Sequence, residues 1–80
     1  MLKSASLQKL RVLIYPEGRV LEVEIGGSRV RVSDLLQLLE KVAGVAGDYY
    51  AVALEGRLLN AEDLVEAGSE VILIPLVMGG

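Results

Sequence analysis

From Val71 to Ile74 the chain carries four consecutive β-branched or aliphatic residues, with no polar residue to mark a solvent side. Such a run suits a strand covered on both faces, at the centre of a sheet. Pro75 removes a backbone donor and fixes φ, so regular pairing should falter there. The 80 residues read as one domain, 1–80, with 1–8 a loosely ordered lead and 75–80 an extended tail. A domain of this size buries a little over roughly 60% of its unfolded surface. With 52% hydrophobic residues there is material for one core.

Upstream, Lys9 to Tyr15 alternates, with Leu10, Val12 and Ile14 on one face and Arg11, Leu13 and Tyr15 on the other. The second set is too apolar for a fully solvated face, so this strand is also expected to be central. Pro16-Glu17-Gly18 is a turn. Arg19 to Ile25 alternates again, with Leu21, Val23 and Ile25 inward and Glu22 and Glu24 outward, which completes a β-hairpin. Gly26-Gly27-Ser28 breaks the chain before Val30 and Val32. It lacks both the P-loop and the dinucleotide fingerprint, and reads as a turn.

A helix is expected next, with Ser33 as N-cap and Asp34 in its first turn. Leu35, Leu36, Leu38, Leu39, Val42 and Ala43 give it one broad apolar face, and Gly44 closes it. Val45 to Asp48 reads as linker and Tyr50 to Leu54 as a strand, with Val52 and Leu54 inward and Ala51 and Ala53 on the reverse. Glu55-Gly56 turns the chain into a short edge strand at Arg57-Leu58-Leu59. Asn60 to Leu64 reads as a single helical turn capped by Asn60, with Leu64 and Val65 plugging the open end of the core. The order β-β-α-β-(β)-β predicts an α+β fold: one mixed sheet of four to five strands packed on one helix. A ferredoxin-like arrangement would need a second full helix, for which Ala61 to Glu66 is too short.

Composition removes most chemistry. Without cysteine or histidine there is no disulfide, thiolate nucleophile, histidine base or Cys/His zinc site. Glu62, Asp63 and Glu66 are carboxylates at the spacing of a solvated turn rather than a metal set. Five arginines and three lysines form no basic stripe, and only Tyr15, Tyr49 and Tyr50 could stack on bases, so nucleic-acid binding is not expected. A net charge of −3 suits a basic docking surface on a partner only weakly. No run reaches the roughly 20 apolar residues of a membrane span, and Met1 to Leu10 holds no apolar signal core. A cytoplasmic protein is expected. One Asn, two Gln and no Cys, with Glu and Arg favoured among the charges, lean toward a thermophilic source.

The chain ends L-V-M-G-G, Leu76 to Gly80, a short apolar stem followed by the loosest dipeptide a backbone can carry. Strand, stem and Gly79-Gly80 together resemble the C-terminus of ubiquitin-like sulfur carriers and protein modifiers. I-P-x-V-x-G-G is similar to the molybdopterin synthase small subunit, with the thiamine sulfur carrier a relative. G-S-R-V-R-V-S-D-L-L-Q-L-L, Gly27 to Leu39, is similar to that family's entry into its helix, and L-E-G-R-L-L-N, Leu54 to Asn60, to its penultimate turn. The tight hairpin turn, Tyr15 to Arg19, is closer to the thiamine carriers and the archaeal small modifier proteins.

The resemblance implies a ubiquitin-like β-grasp fold and a carrier that is a cosubstrate, not an enzyme, with no catalytic residues and no bound metal or cofactor. It implies a ubiquitin-activating-like adenylating enzyme that uses ATP and Mg²⁺ to adenylate the Gly80 carboxylate. Sulfur transfer would then give a thiocarboxylate for a molybdopterin synthase large subunit or a thiazole synthase. Attack by a target-protein lysine would instead give an isopeptide. A β-carbon at Gly79 or Gly80 would obstruct a narrow channel, and charge there would add a desolvation cost. Docking is expected on the sheet face away from the helix, at Leu13, Tyr15, Ala51, Ala53 and either Ile72 and Ile74 or Val71 and Leu73, the first pair favoured. It would continue along Leu76, Val77 and Met78. The other reading is a non-catalytic β-grasp interaction module whose terminal glycines are incidental.

Overall fold

The computed structural model describes residues 7–76. Val77, Met78, Gly79 and Gly80, and most of the expected lead, lie outside the described residues. Strand β1 (Leu7–Ile14) and strand β2 (Arg19–Gly26) form the expected antiparallel hairpin, in register from Leu7 opposite Gly26 to Ile14 opposite Arg19. The strand starts two residues before Lys9 because β2 continues to Gly26 and offers Leu7 and Gln8 partners. Tyr15, expected as the last strand residue, falls in the turn.

Strand β3 (Arg29–Arg31) runs directly into helix α1 (Val32–Ala43), and a 3₁₀ turn at Gly47–Tyr49 occupies the expected linker. Then come β4 (Tyr50–Leu54), β5 (Arg57–Leu59), β6 (Leu64–Glu66) and β7 (Glu70–Pro75). The main sheet has the order β2-β1-β7-β4-β5. Its central neighbours β1 and β7 are parallel, and β7 pairs antiparallel with β4. Both strands with apolar residues on two faces are therefore central. One helix packed on a mixed five-stranded sheet is the ubiquitin-like β-grasp.

The core lies between sheet and helix. Leu10, Val12 and Ile14 of β1, Val23 and Ile25 of β2, Val52 of β4, and Val71 and Leu73 of β7 meet Val32, Leu35 and Leu39 of α1. Each fully buried leucine or valine contributes roughly 1.5–3 kcal/mol over leaving it exposed. Gly44 at φ 70° closes the helix as expected. Its N–H donates to the Glu40 carbonyl, and the Val45 N–H to the Leu39 carbonyl, a pairing that brings Val45 into the core.

Four expectations are corrected. Ser33 does not cap the helix: the cap position is Arg31, with no side-chain hydrogen bond. The Val32 and Ser33 N–H groups donate instead to the Asp63 and Ala61 carbonyls at 2.9 and 3.0 Å. Two of the orphan donors of the first turn are thus met by backbone from a distant segment. Asn60 to Leu64 is a turn, not a helical one. The Asn60 N–H donates to the Asp63 carboxylate at 2.7 Å and the Asp63 N–H to the Asn60 carbonyl at 3.0 Å.

Leu64 does not plug the core. It begins β6, which pairs antiparallel with β3, and alternation there turns Val65 inward at 0% exposure and leaves Leu64 half exposed. Val42 likewise stays outside the core, at 61% exposure.

Glu55-Gly56 is the expected turn, with φ of 53° and 79° at its two residues. Positive φ at both centres matches strand twist in a two-residue hairpin.

Candidate functional site

The sheet face opposite α1 has no covering layer among the described residues. Alternation decides which side chains reach it. Val71 and Leu73 are fully buried toward the helix, so Ile72 and Ile74 take the open side, as favoured from sequence. Leu13 joins them on β1, and Ala51 and Ala53 on β4.

Register assembles these residues into a band. Val20 stands opposite Leu13, Leu13 opposite Ile72, Ile72 opposite Ala53, and Ala53 opposite Leu58. One apolar row thus crosses all five strands. The next row holds Ile74 opposite Ala51. Tyr15, exposed at the end of β1, is held to β7 by its N–H donating to the Leu73 carbonyl at 2.9 Å. Beyond it the Leu76 N–H donates to the Tyr49 carbonyl at 2.8 Å, and both side chains are largely exposed.

Leu13, Tyr15, Ile72, Ile74 and Leu76 are therefore brought together on one surface, while Val77, Met78, Gly79 and Gly80 lie outside the described residues. Ala53 differs from expectation in being nearly covered, between its register neighbours Ile72 and Leu58, so it forms floor rather than contact surface.

Sequence reasoning missed Val20, Tyr49 and Leu58. Val20 had a signal, since it shares the parity of Glu22 and Glu24. Tyr49 and Leu58 had none, because their place depends on pairing with β7 and β4.

Away from the Leu76 end the face turns polar. Arg11 lies in register with both Glu22 and Glu70, and its guanidinium pairs with Glu22 at 3.5 Å. Half-exposed and loose, this pair contributes roughly 0.2–1 kcal/mol at most. Lys9 stands opposite Glu24. The face is thus divided into an apolar half near Leu76 and a charged half at the start of β7. Contiguous exposed apolar surface on a small domain marks an interaction site.

Among the described residues no group of three or more His, Cys, Asp or Glu side chains is placed to hold a metal ion, and no helix is long and apolar enough to cross a membrane.

No protein-family model matches the sequence, and no curated protein matches it significantly. Solved structures do match, at low identity. The ubiquitin of Caldiarchaeum subterraneum superposes with a TM-score of 0.71 at 20% identity, over 94% of this chain and 100% of that one. The UBL domain of Plasmodium falciparum Dsk2 gives 0.71 at 15% identity, over 88% and 99%. A de novo design based on ubiquitin gives 0.72 at 22%, over 91% and 93%. At these identities the likeness is one of fold.

Proposed function

We propose that this chain is a ubiquitin-like carrier that works through the Gly80 carboxylate, with Gly79 and the stem Leu76 to Met78 threading it into a partner's active site. The observation that carries the reading is the course of β7. This central strand stays paired with β4 through Pro75, opposite Tyr50, and past it the Leu76 N–H still bonds the Tyr49 carbonyl, so Leu76 is held beside the open apolar face, four residues before Gly80 in sequence. A partner seated on Leu13, Tyr15, Ile72, Ile74 and Leu76 would hold the start of the stem and take up the segment from Val77 to Gly80.

In that partner, an adenylating enzyme using ATP and Mg²⁺, a Gly80 carboxylate oxygen attacks the α-phosphorus of ATP and pyrophosphate leaves. A sulfide-level donor then attacks the acyl carbon, AMP departs, and Gly80 carries a thiocarboxylate for cofactor synthesis, with a molybdopterin synthase large subunit or a thiazole synthase as acceptor. If a lysine amine attacks instead, an isopeptide forms and the chain becomes a protein tag. The carrier's own residues supply docking and positioning, and the chemistry belongs to the partner.

The test is intact-mass analysis of the chain after incubation with host cell extract, ATP and a sulfur source. A gain equal to the difference between sulfur and oxygen on the C-terminal peptide supports the carrier. Gly80 joined to a lysine with loss of water supports the modifier. No change at Gly80, in an extract that activates a known carrier, returns the chain to a plain interaction module.

A further inference from the structure

On the helix side of the sheet, away from the open face, a trough of about 320 Å³ runs along α1. One wall is a helical stripe, since Ser33, Leu36, Gln37 and Glu40 stand three or four residues apart and share a face. At 1.5 Å rise per residue this stripe is roughly 10 Å long. The facing wall is Ala46, Gly47 and Asp48, which the chain lays back against the helix after Gly44 ends it. That wall is fixed by its own turn, in which the Tyr49 N–H donates to the Ala46 carbonyl at 3.0 Å. Ala61 closes one end, where its carbonyl accepts the Ser33 N–H at 3.0 Å. The walls touch at Gly47, where a β-carbon would stand 3.0 Å from Leu36 Cβ. A residue without a side chain lets the turn lie directly on the helix.

The apolar surface of the trough comes from Leu36, Ala46 and Ala61, and its polar groups are rich in acceptors. The helix wall supplies the Glu40 carboxylate, the Gln37 amide and the Ser33 hydroxyl, and the turn supplies the Asp48 carboxylate. No basic side chain lines it, and neither carboxylate joins an ion pair among the described residues. We propose that this trough receives the arginine side chain of a partner protein. The methylene stem would lie against Leu36, Ala46 and Ala61. The guanidinium would donate to Glu40 on one wall and Asp48 on the other, with Gln37 and Ser33 as neutral acceptors. The site is independent of the carrier reading, and a partner held there leaves Leu13, Ile72 and Ile74 free.

Size and charge select this occupant. Pockets for drug-sized ligands run from about 300 to 1,000 Å³, so this trough holds one long side chain and not a folded segment. An apolar side chain would strip water from Glu40 and Asp48 and offer them no donor. A planar guanidinium presents five donors in a fixed fork and reaches both walls at once, whereas an ammonium is a compact point charge. A metal ion is not the occupant, since no group of three or more His, Cys, Asp or Glu side chains is placed to hold one among the described residues. Glu40 and Asp48 are both exposed, so a single side chain binds weakly by itself and acts as an anchor within a wider interface.

The test titrates the isotope-labelled full chain with arginine blocked at both ends, N-acetyl-arginine N-methylamide, and with its citrulline and lysine counterparts. We expect shifts in the amide signals of Leu36, Gln37, Glu40, Ala46, Gly47 and Asp48, with a dissociation constant of about 1–10 mM. Citrulline, of the same shape but uncharged, should bind about tenfold more weakly, and lysine about threefold. Glu40→Gln and Asp48→Asn, both at exposed positions, should each weaken binding about threefold, and the double variant about tenfold. Absence of shifts at about 50 mM blocked arginine would overturn the proposal. So would shifts confined to Leu13, Ile72 and Ile74, an equal response to citrulline or lysine, or unchanged affinity in the double variant. Free arginine binding about tenfold more tightly than the blocked form would make a small molecule the occupant and also overturn it.

Discussion

Leu13 and Ile72 are register partners across the parallel pair β1–β7 at the middle of the sheet. Both are half-buried and both point away from the helix, while their chain neighbours Val12, Ile14, Val71 and Leu73 fill the core. A single pairing thus sets the centre of the open face and the centre of the core together.

The two sides of β7 should respond differently to truncation. Leu73→Ala removes a fully buried side chain and is expected to cost about 2–5 kcal/mol. Ile72→Ala, half-buried on the open face, should cost about 1–2 kcal/mol. Leu58→Ser, at an exposed edge position, should stay within about 0.5 kcal/mol of wild type. Urea midpoints measured under one set of conditions check the order. Leu58→Ser at full stability should also lower turnover of the chain by host extract, since it removes the end of the apolar row.

Ser33→Ala should be nearly silent, within about 0.5 kcal/mol, where loss of a true N-cap costs about 1 kcal/mol. Asp63→Ala should cost about 0.5–1.5 kcal/mol, because it releases the Asn60 N–H from a 2.7 Å bond in the turn whose carbonyls receive the helix N-terminus. Thermal unfolding of the two variants side by side distinguishes a cap made by tertiary structure from one made by a side chain.

Glu55→Asn should stabilise the protein. Glu55 holds φ 53°, a region that asparagine tolerates better than glutamate, and a gain of a few tenths up to about 1 kcal/mol is expected. A raised urea midpoint with unchanged slope would show it.

Two glycines should fail for different reasons. Gly44→Ala places a β-carbon in open space but at φ 70°, so the cost is backbone strain of roughly 1–2 kcal/mol. At Gly47 the φ is ordinary, but an added β-carbon would stand 3.0 Å from Leu36 Cβ. Gly47→Ala should therefore destabilise through a clash. Leu36→Ala keeps that Cβ and should leave the penalty in place, whereas Leu36→Gly removes it, so a double-mutant cycle of Gly47→Ala with Leu36→Gly reads the coupling.

Much of this architecture was legible in the chain. Alternation marked β1 and β2, short continuous apolar runs marked β4 and β7, helical spacing marked α1, and Gly44 marked its end. Faces are a local property, since successive side chains on a strand must alternate. Leu13 and Tyr15 could therefore be grouped before any pairing was known, but whether Ile72 and Ile74 or Val71 and Leu73 join them was settled only by pairing with β1 and burial against the helix. What tertiary structure alone decided is what depends on partners distant in sequence. Ser33 lost its capping role because the Ala61 and Asp63 carbonyls arrive at the same N–H groups. Leu64 left the core because β6 pairs with β3. Val20, Tyr49 and Leu58 joined the apolar band, and Val42 stayed exposed, because register and packing are set by the whole sheet and not by any one strand.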